Sequence, residues 1–431
     1  MKEINTQIKN GVNLHVIQNE KFKTNLAAVF VTLKLTRKDV TKNALIPAVL
    51  RRGTANLQTQ EEINKKLENM YGALFDCGIE KIGDNHVMKF YLETLNDTYV
   101  PNEEKLTKIG LDTLFDIVFN PYLEAKAFSS EYVKSEKNNI KQIIEAKINN
   151  KDSYAFNRCI EEMYKDMPYS LYKYGYIEDL DSIDESNLYE YYQFVIQNSK
   201  IDIFVSGDFA NSNEIEKIIQ ENNNIQELIQ RNPIIEVYNE NIKEQKDELK
   251  EIQENMDISQ GKLIIGIDLL ENKAEDRFAT TLYNTILGDS ANSKLFQNVR
   301  EKEHLAYTIR SIYNKTKSVL FIRAGIETSN YQKAVNIIKE QLENMKAGEF
   351  TQEDIKNAKN YIISAINSID EEQDTEITYY FGQELSGVKY SPEEYKKKIK
   401  DITKEEIEQI AGKIRINTIF FLKNETEEGG K

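Results

Sequence analysis

Apolar positions that largely alternate with polar ones at residues 12–18 (VNLHVIQ), and an apolar run that passes into alternation at 26–36 (LAAVFVTLKLT), read as strands, and helical patterns follow over 42–52 and 59–70. Thr59, just ahead of Glu61 and Glu62, puts a capping hydroxyl and negative charge at the start of the second helix. Strands at 73–82 and 86–94 flank the turn residues Gly83, Asp84 and Asn85, the signature of a hairpin. Helical patterns follow at 102–118, 128–149, 153–165 and 185–196, and the strand IDIFVSG at 201–207 closes this half.

The second half repeats the order. A strand at 262–270 leads to helices at 274–287 and 292–303, strands at 306–314 and 318–328, helices through 330–412 and a last strand at 417–423. Short pieces also match: FYLETL at 90–95 with RAGIET at 323–328, and NIKQIIEAKIN at 139–149 with KNAKNYIISAIN at 356–367. One domain plan is used twice. Hairpin-length turns between grouped strands predict an α+β fold, each domain a largely antiparallel sheet packed with helices, and the two homologous domains are expected to face each other as a clamshell. The expected boundaries are a first repeat over 1–215, a polar linker over 216–250 and a second repeat over 251–431. The wider stretch 208–258 is rich in Asn, Glu, Gln and Lys.

Composition narrows the function. A chain of 431 residues with 40% hydrophobic content suits two packed domains, and its formal charge of -15 argues against a general nucleic-acid or anionic-membrane binder. Cys77 and Cys159 lack the spacing of a disulfide framework or thiolate zinc site and are expected to be buried small hydrophobes. The N-terminus has no signal-peptide core and the chain no 18-residue apolar run, so the expected location is the cytoplasm. No glycine-rich phosphate loop, dinucleotide fingerprint or Gly-x-Ser-x-Gly elbow occurs. His15, His86 and His304 share no i, i+4 spacing; His15 and His86 are expected to be half-buried polar-tipped residues, and His304 a structural group at a helix end.

The repeated plan, with DSANSKLFQNVREKEHLAYTIRS at 289–311, resembles the insulinase/pitrilysin zinc metallopeptidase family and within it the two-repeat processing-peptidase branch. DISQGKLIIGIDL at 257–269 is similar to the bacterial type associated with elongation factor P modification, whose members are often paired with a second homologue. Active members of this family carry His-x-x-Glu-His on a first-repeat helix, where the two imidazoles hold zinc and the Glu activates water, with a later Glu as third ligand. Counting back from Arg52-Gly53-Thr54, which resembles the end of that helix, the corresponding residues are Ala44, Pro47 and Ala48. None binds zinc or moves a proton. Pro47 costs ~3 kcal/mol in a helix interior, so the helix is expected to start later than in active members. Glu145 best matches the third ligand and is expected to be idle.

The resemblance makes Arg300 and Tyr307, in VREKEHLAY, the pair that contacts substrate from the second repeat. A guanidinium fork and a phenol can both stabilise a scissile carbonyl as negative charge develops on it. The expected function is therefore that of a metal-less subunit of a heterodimeric zinc peptidase, inactive alone. This chain would carry no cofactor, and a homologous partner with intact His-x-x-Glu-His would supply the zinc. Substrates would be unfolded or presequence-like peptides, basic ones being favoured by the acidic chain. The isolated chain could also pair with itself as a homodimer. The alternative is a non-catalytic scaffold or peptide-binding protein that kept the fold.

Overall fold

The computed structural model describes residues 2–101, 104–209, 211–229, 231–233, 249–271 and 273–424. The chain divides into two compact units: Met1–Ala146, Leu171–Tyr238 and Ile369–Gly387 in one, Lys147–Ser170, Asn239–Ser368 and Val388–Lys431 in the other. Both are discontinuous in sequence.

The first unit is built on a six-stranded sheet of β1 (Lys2–Lys9), β2 (Val12–Gln18), β3 (Thr24–Lys34), β4 (Leu74–Ile82), β5 (Asn85–Leu95) and β6 (Lys200–Gly207), in the order β1-β2-β6-β3-β5-β4. Neighbours are antiparallel except β2 and β6, which run parallel. β4 and β5 join through the expected tight turn at Gly83, whose φ of +58° lies in the left-handed region that glycine adopts freely. β6 is buried at every position, as its unbroken apolar run requires of a strand covered on both faces.

One core cluster of this unit gathers side chains from the sheet and from α1 (Val40–Leu50), α2 (Gln60–Asn69), α3 (Leu106–Phe119) and α4 (Ser130–Ala146). Thr59 caps α2 as its sequence predicts, with reciprocal hydrogen bonds of 3.2 Å and 3.1 Å between Thr59 and Glu62.

The second unit holds β7 (Lys250–Met256), β8 (Gly261–Leu269), β9 (Ala306–Asn314), β10 (Val319–Ile326) and β11 (Ile414–Asn424), in the order β9-β10-β8-β11-β7. Again one pair, β11 with β7, is parallel and the others antiparallel. The order β7-β11-β8-β10-β9 reproduces β2-β6-β3-β5-β4, so the repetition read in the sequence is a repetition of topology, with β1 as an addition.

The helices do not all stay with their own half. α5 (Lys151–Met163), from the first half of the chain, packs in the second unit, where Ala155, Cys159, Ile160 and Met163 join Ile264, Phe321 and Phe420 in one cluster. Later in the chain come α6 (Tyr331–Lys346), α7 (Gln352–Asn367) and α8 (Gln373–Ser386). α8 returns to the first unit and covers the second face of its sheet: Phe381 stacks on Phe30 at 4.0 Å, beside Phe204. Each unit thus completes its core with a helix from the other half.

Four expectations are corrected. The first strand, β1, precedes the earliest expected one. The polar stretch 208–258 contains a helix, Ser212–Glu221, and β7, whose alternating half-exposed pattern is that of an edge strand. The expected linker 216–250 falls partly outside the described residues, at 230 and 234–248. α1 does not start late: it begins at Val40 and carries Pro47 in its interior, where burial of nine of its eleven residues offsets the lost hydrogen bond. Finally, His15 and His86 are fully buried rather than half-buried, at 2% and 0% exposure. Among the described residues, no helix is long and apolar enough to cross a membrane.

Candidate functional site

α1 presents Ala44, Pro47 and Ala48 in the positions where the resemblance expects His, Glu and His; Ala44 and Pro47 are buried and Ala48 half-buried. Asn43, next to them, donates its amide to His86 Nδ1 at 3.1 Å, while His86 Nε2 lies 2.9 Å from the Lys173 carbonyl and Tyr191 donates to Asn43 Oδ1 at 2.9 Å. This arrangement requires neutral His86 with its proton on Nε2. Burial agrees, pushing the imidazole down to about 3.

Glu145, the expected third ligand, is on the exposed side of α4, 4.0 Å from Lys141. The buried acid of α4 is instead Glu136, in the stripe Val133, Glu136, Ile140 and Ile144. Its Oε1 lies 3.4 Å from Arg52 Nη1. Cys77 Sγ is 3.4 Å from the Pro47 carbonyl, and burial pushes its thiol up to about 12, which keeps it protonated at neutral pH. Cys159 is buried in the second unit, its thiol likewise pushed up to about 12 by burial.

These residues do not fit a zinc ion. α1 offers no imidazole or carboxylate, and no group of three or more His, Cys, Asp or Glu among the described residues could hold a metal.

The second-repeat segment is built differently. Residues Thr285–Asp289 and Phe296–Lys302 are wound as π-helix, a wide turn that alters the direction of successive side chains. Arg300 lies in the second of these, its guanidinium 4.6 Å from the Phe296 ring centre and its Nε 3.6 Å from Glu301, with 41% of the side chain exposed. His304 ends the turn at φ +53°, and the Leu305 N–H reaches past it to the Val299 carbonyl at 3.0 Å. That backbone conformation is unusual for a residue with a side chain.

The chain then enters β9, an edge strand, through a bulge. Ala306 pairs with Ile326 and Thr308 with Gly325, so Tyr307 is the extra residue between them. A bulge re-aims a side chain, and here two successive residues, Tyr307 and Thr308, both face solvent. Tyr307 is 58% exposed. Its hydroxyl donates to Glu327 Oε1 at 3.0 Å, and that hydrogen bond raises the phenol's ionisation above its ordinary value.

An exposed guanidinium and an exposed phenol, set on a π-helical turn and a bulge, can donate to a peptide carbonyl. Glu327, Glu136 and Arg52 were not anticipated from the sequence as site residues. The stripe of α4 could have revealed Glu136, because it falls at helical spacing among Val133, Ile140 and Ile144.

The profile described as "Peptidase M16 inactive domain" matches residues 182–362. The chain is 36% identical to "Probable inactive metalloprotease YmfF" of Bacillus subtilis over 418 residues, covering 96% of each protein. The crystal structure of a conserved protein from Enterococcus faecalis V583 superposes with a TM-score of 0.86 at 27% identity, covering 98% of this chain and 99% of that one. A "peptidase M16 inactive domain" from Pseudomonas fluorescens shares the fold, with a TM-score of 0.79 at 16% identity and 98% coverage of both chains. With the repeated sheets and the altered α1, these similarities identify the chain as a member of the M16 (insulinase) peptidase family, homologous to a probable inactive metalloprotease.

Proposed function

We propose that this chain is the metal-less subunit of a two-subunit zinc peptidase of the processing-peptidase branch, akin to the bacterial type associated with elongation factor P modification. A homologous partner with intact His-x-x-Glu-His would supply zinc and general base. This chain would bind the peptide and direct Arg300 and Tyr307 at the scissile carbonyl. The observation that carries the reading is the placement of Tyr307: a bulge lifts it out of the edge strand and leaves it 58% exposed, where a purely structural tyrosine gains little. The enzyme would act in the cytoplasm on unfolded peptide segments.

Activity of the reconstituted pair tests it. Tyr307→Phe removes one donor and should lower turnover about 10²- to 10³-fold, as loss of an oxyanion donor does. Arg300→Lys should also lower it, because a point charge does not reproduce the guanidinium fork. Glu145→Gln, a change on the exposed side of α4, serves as the control and should leave turnover unchanged. Wild-type turnover in both Tyr307→Phe and Arg300→Lys would remove the catalytic role.

A second reading, a non-catalytic peptide-binding protein, is favoured by one contact: the Tyr307 hydroxyl already donates to Glu327. Peptide binding that is unaffected by a zinc-bearing homologue, with no turnover in any mixture, would favour it.

A further inference from the structure

We propose that Arg52 is a structural cross-link in this chain: its guanidinium pairs with Glu136, the acid that α4 buries, and ties the end of α1 to α4 without a metal ion. A carboxylate withdrawn from water needs a cation or several donors to remain charged. Glu136 is 6% exposed. Its Oε1 faces Arg52 Nη1 at 3.4 Å, and its Oε2 accepts from the Asn139 amide at 3.0 Å.

The guanidinium is itself held in place. Nη1 donates to Gln60 Oε1 at 3.3 Å, at the start of α2, and the guanidinium carbon lies 5.4 Å from the Tyr132 ring centre on α4. Arg52 follows the end of α1, where its N–H donates to the Val49 carbonyl at 3.0 Å. One side chain therefore connects the end of α1, the first turn of α2 and the middle of α4. A structural metal performs the same kind of cross-linking, by balancing buried ligand charge and fixing the elements that carry it.

The chemistry around the pair agrees. Ala44, Pro47 and Ala48 offer no imidazole or carboxylate to a metal, so the cation beside Glu136 is the guanidinium of Arg52. Arg52 belongs to the Arg-Gly-Thr ending that resembles the family's. The inference concerns this chain alone and stands apart from any catalytic partnership.

The experiment uses the full-length chain without a partner. Wild type, Arg52→Met, Arg52→Lys, Glu136→Gln and the double variant Arg52→Met with Glu136→Met are compared by thermal unfolding with and without EDTA, and by elemental analysis for zinc. Wild type is expected to hold no equivalent of zinc and to unfold at the same temperature with and without EDTA. Arg52→Met leaves a buried unpaired carboxylate and should lower the midpoint by several degrees, whereas Arg52→Lys keeps the charge and should lower it less. Replacing both partners should recover most of the loss. If Arg52→Met gives no folded protein, the double variant must still fold. An unchanged midpoint in Arg52→Met, a double variant no better than the single, or an equivalent of zinc that is lost in Glu136→Gln would each overturn the proposal.

Discussion

Tyr307 and Glu327, twenty residues apart, meet because the bulge between Ala306 and Thr308 turns the phenol toward the end of β10, where its hydroxyl donates to Glu327 Oε1 at 3.0 Å. The carboxylate favours the protonated phenol. In Glu327→Gln the charge disappears, so Tyr307 should ionise at lower pH than in wild type. Tyrosinate absorbance, with Tyr307→Phe subtracted to isolate this residue, measures it. An unchanged titration would show that the contact does not hold in solution.

His86 gives a second expectation. Its folded value of about 3 lies below the ordinary 6.5, so between those values the unfolded chain takes up a proton that the folded chain refuses. Stability from this site is present above pH 6.5 and is lost progressively as pH falls toward about 3. The imidazole resonances of His86 should stay fixed between pH 8 and pH 5, values chosen to span roughly the ordinary histidine range. Asn43→Asp, which replaces a donor by an acceptor charge, should raise the titration into that range.

Glu376 has the opposite sign. It is fully buried on α8, accepting from Ser206 Oγ at 3.1 Å and from Asn19 Nδ2 at 3.3 Å, yet burial outweighs these bonds and raises its ionisation above the ordinary 4.5. The folded state therefore binds the proton more tightly than the unfolded one, and stability falls as pH rises from the ordinary value through the raised one. Glu376→Gln should raise the unfolding temperature at neutral pH, with the gain shrinking below the ordinary carboxylate value. A gain of equal size at acid pH would refute this account.

Exchange of α5 and α8 predicts the behaviour of fragments. Residues 1–215 alone lack Phe381, Ile377 and Leu385, which cover Phe30 and Phe204. The fragment should bind a hydrophobic dye and unfold without a sharp transition. Adding residues 251–431 in trans should restore cooperativity. A cooperative, dye-free fragment would mean that α8 is dispensable.

Much of this fold could be read because its local signals agree with its tertiary ones: the Gly83 turn fixes one hairpin and Thr59 one helix start. β7 was missed because Lys250, Glu251, Gln253 and Glu254 give an edge strand the composition of a connection. The exchange of α5 and α8 had no sequence signal at all, since an amphipathic pattern states which face is buried and not which sheet buries it. At the site, the motif made Arg300 and Tyr307 legible. Glu327 was not, because its contact depends on a one-residue bulge. For α4, counting from the motif selected Glu145, whereas the helical stripe selects Glu136.

The helix exchange also sets a clock on biosynthesis. The last strand of the first sheet ends at Gly207, but the helix that covers its second face ends at Ser386, 179 residues later. At typical synthesis rates this interval is roughly 9 to 36 s. Throughout it Phe30 and Phe204 lack their partner Phe381, so the nascent chain carries an open apolar surface that chaperones would recognise, and the first sheet can be sealed only after most of the second half has left the ribosome.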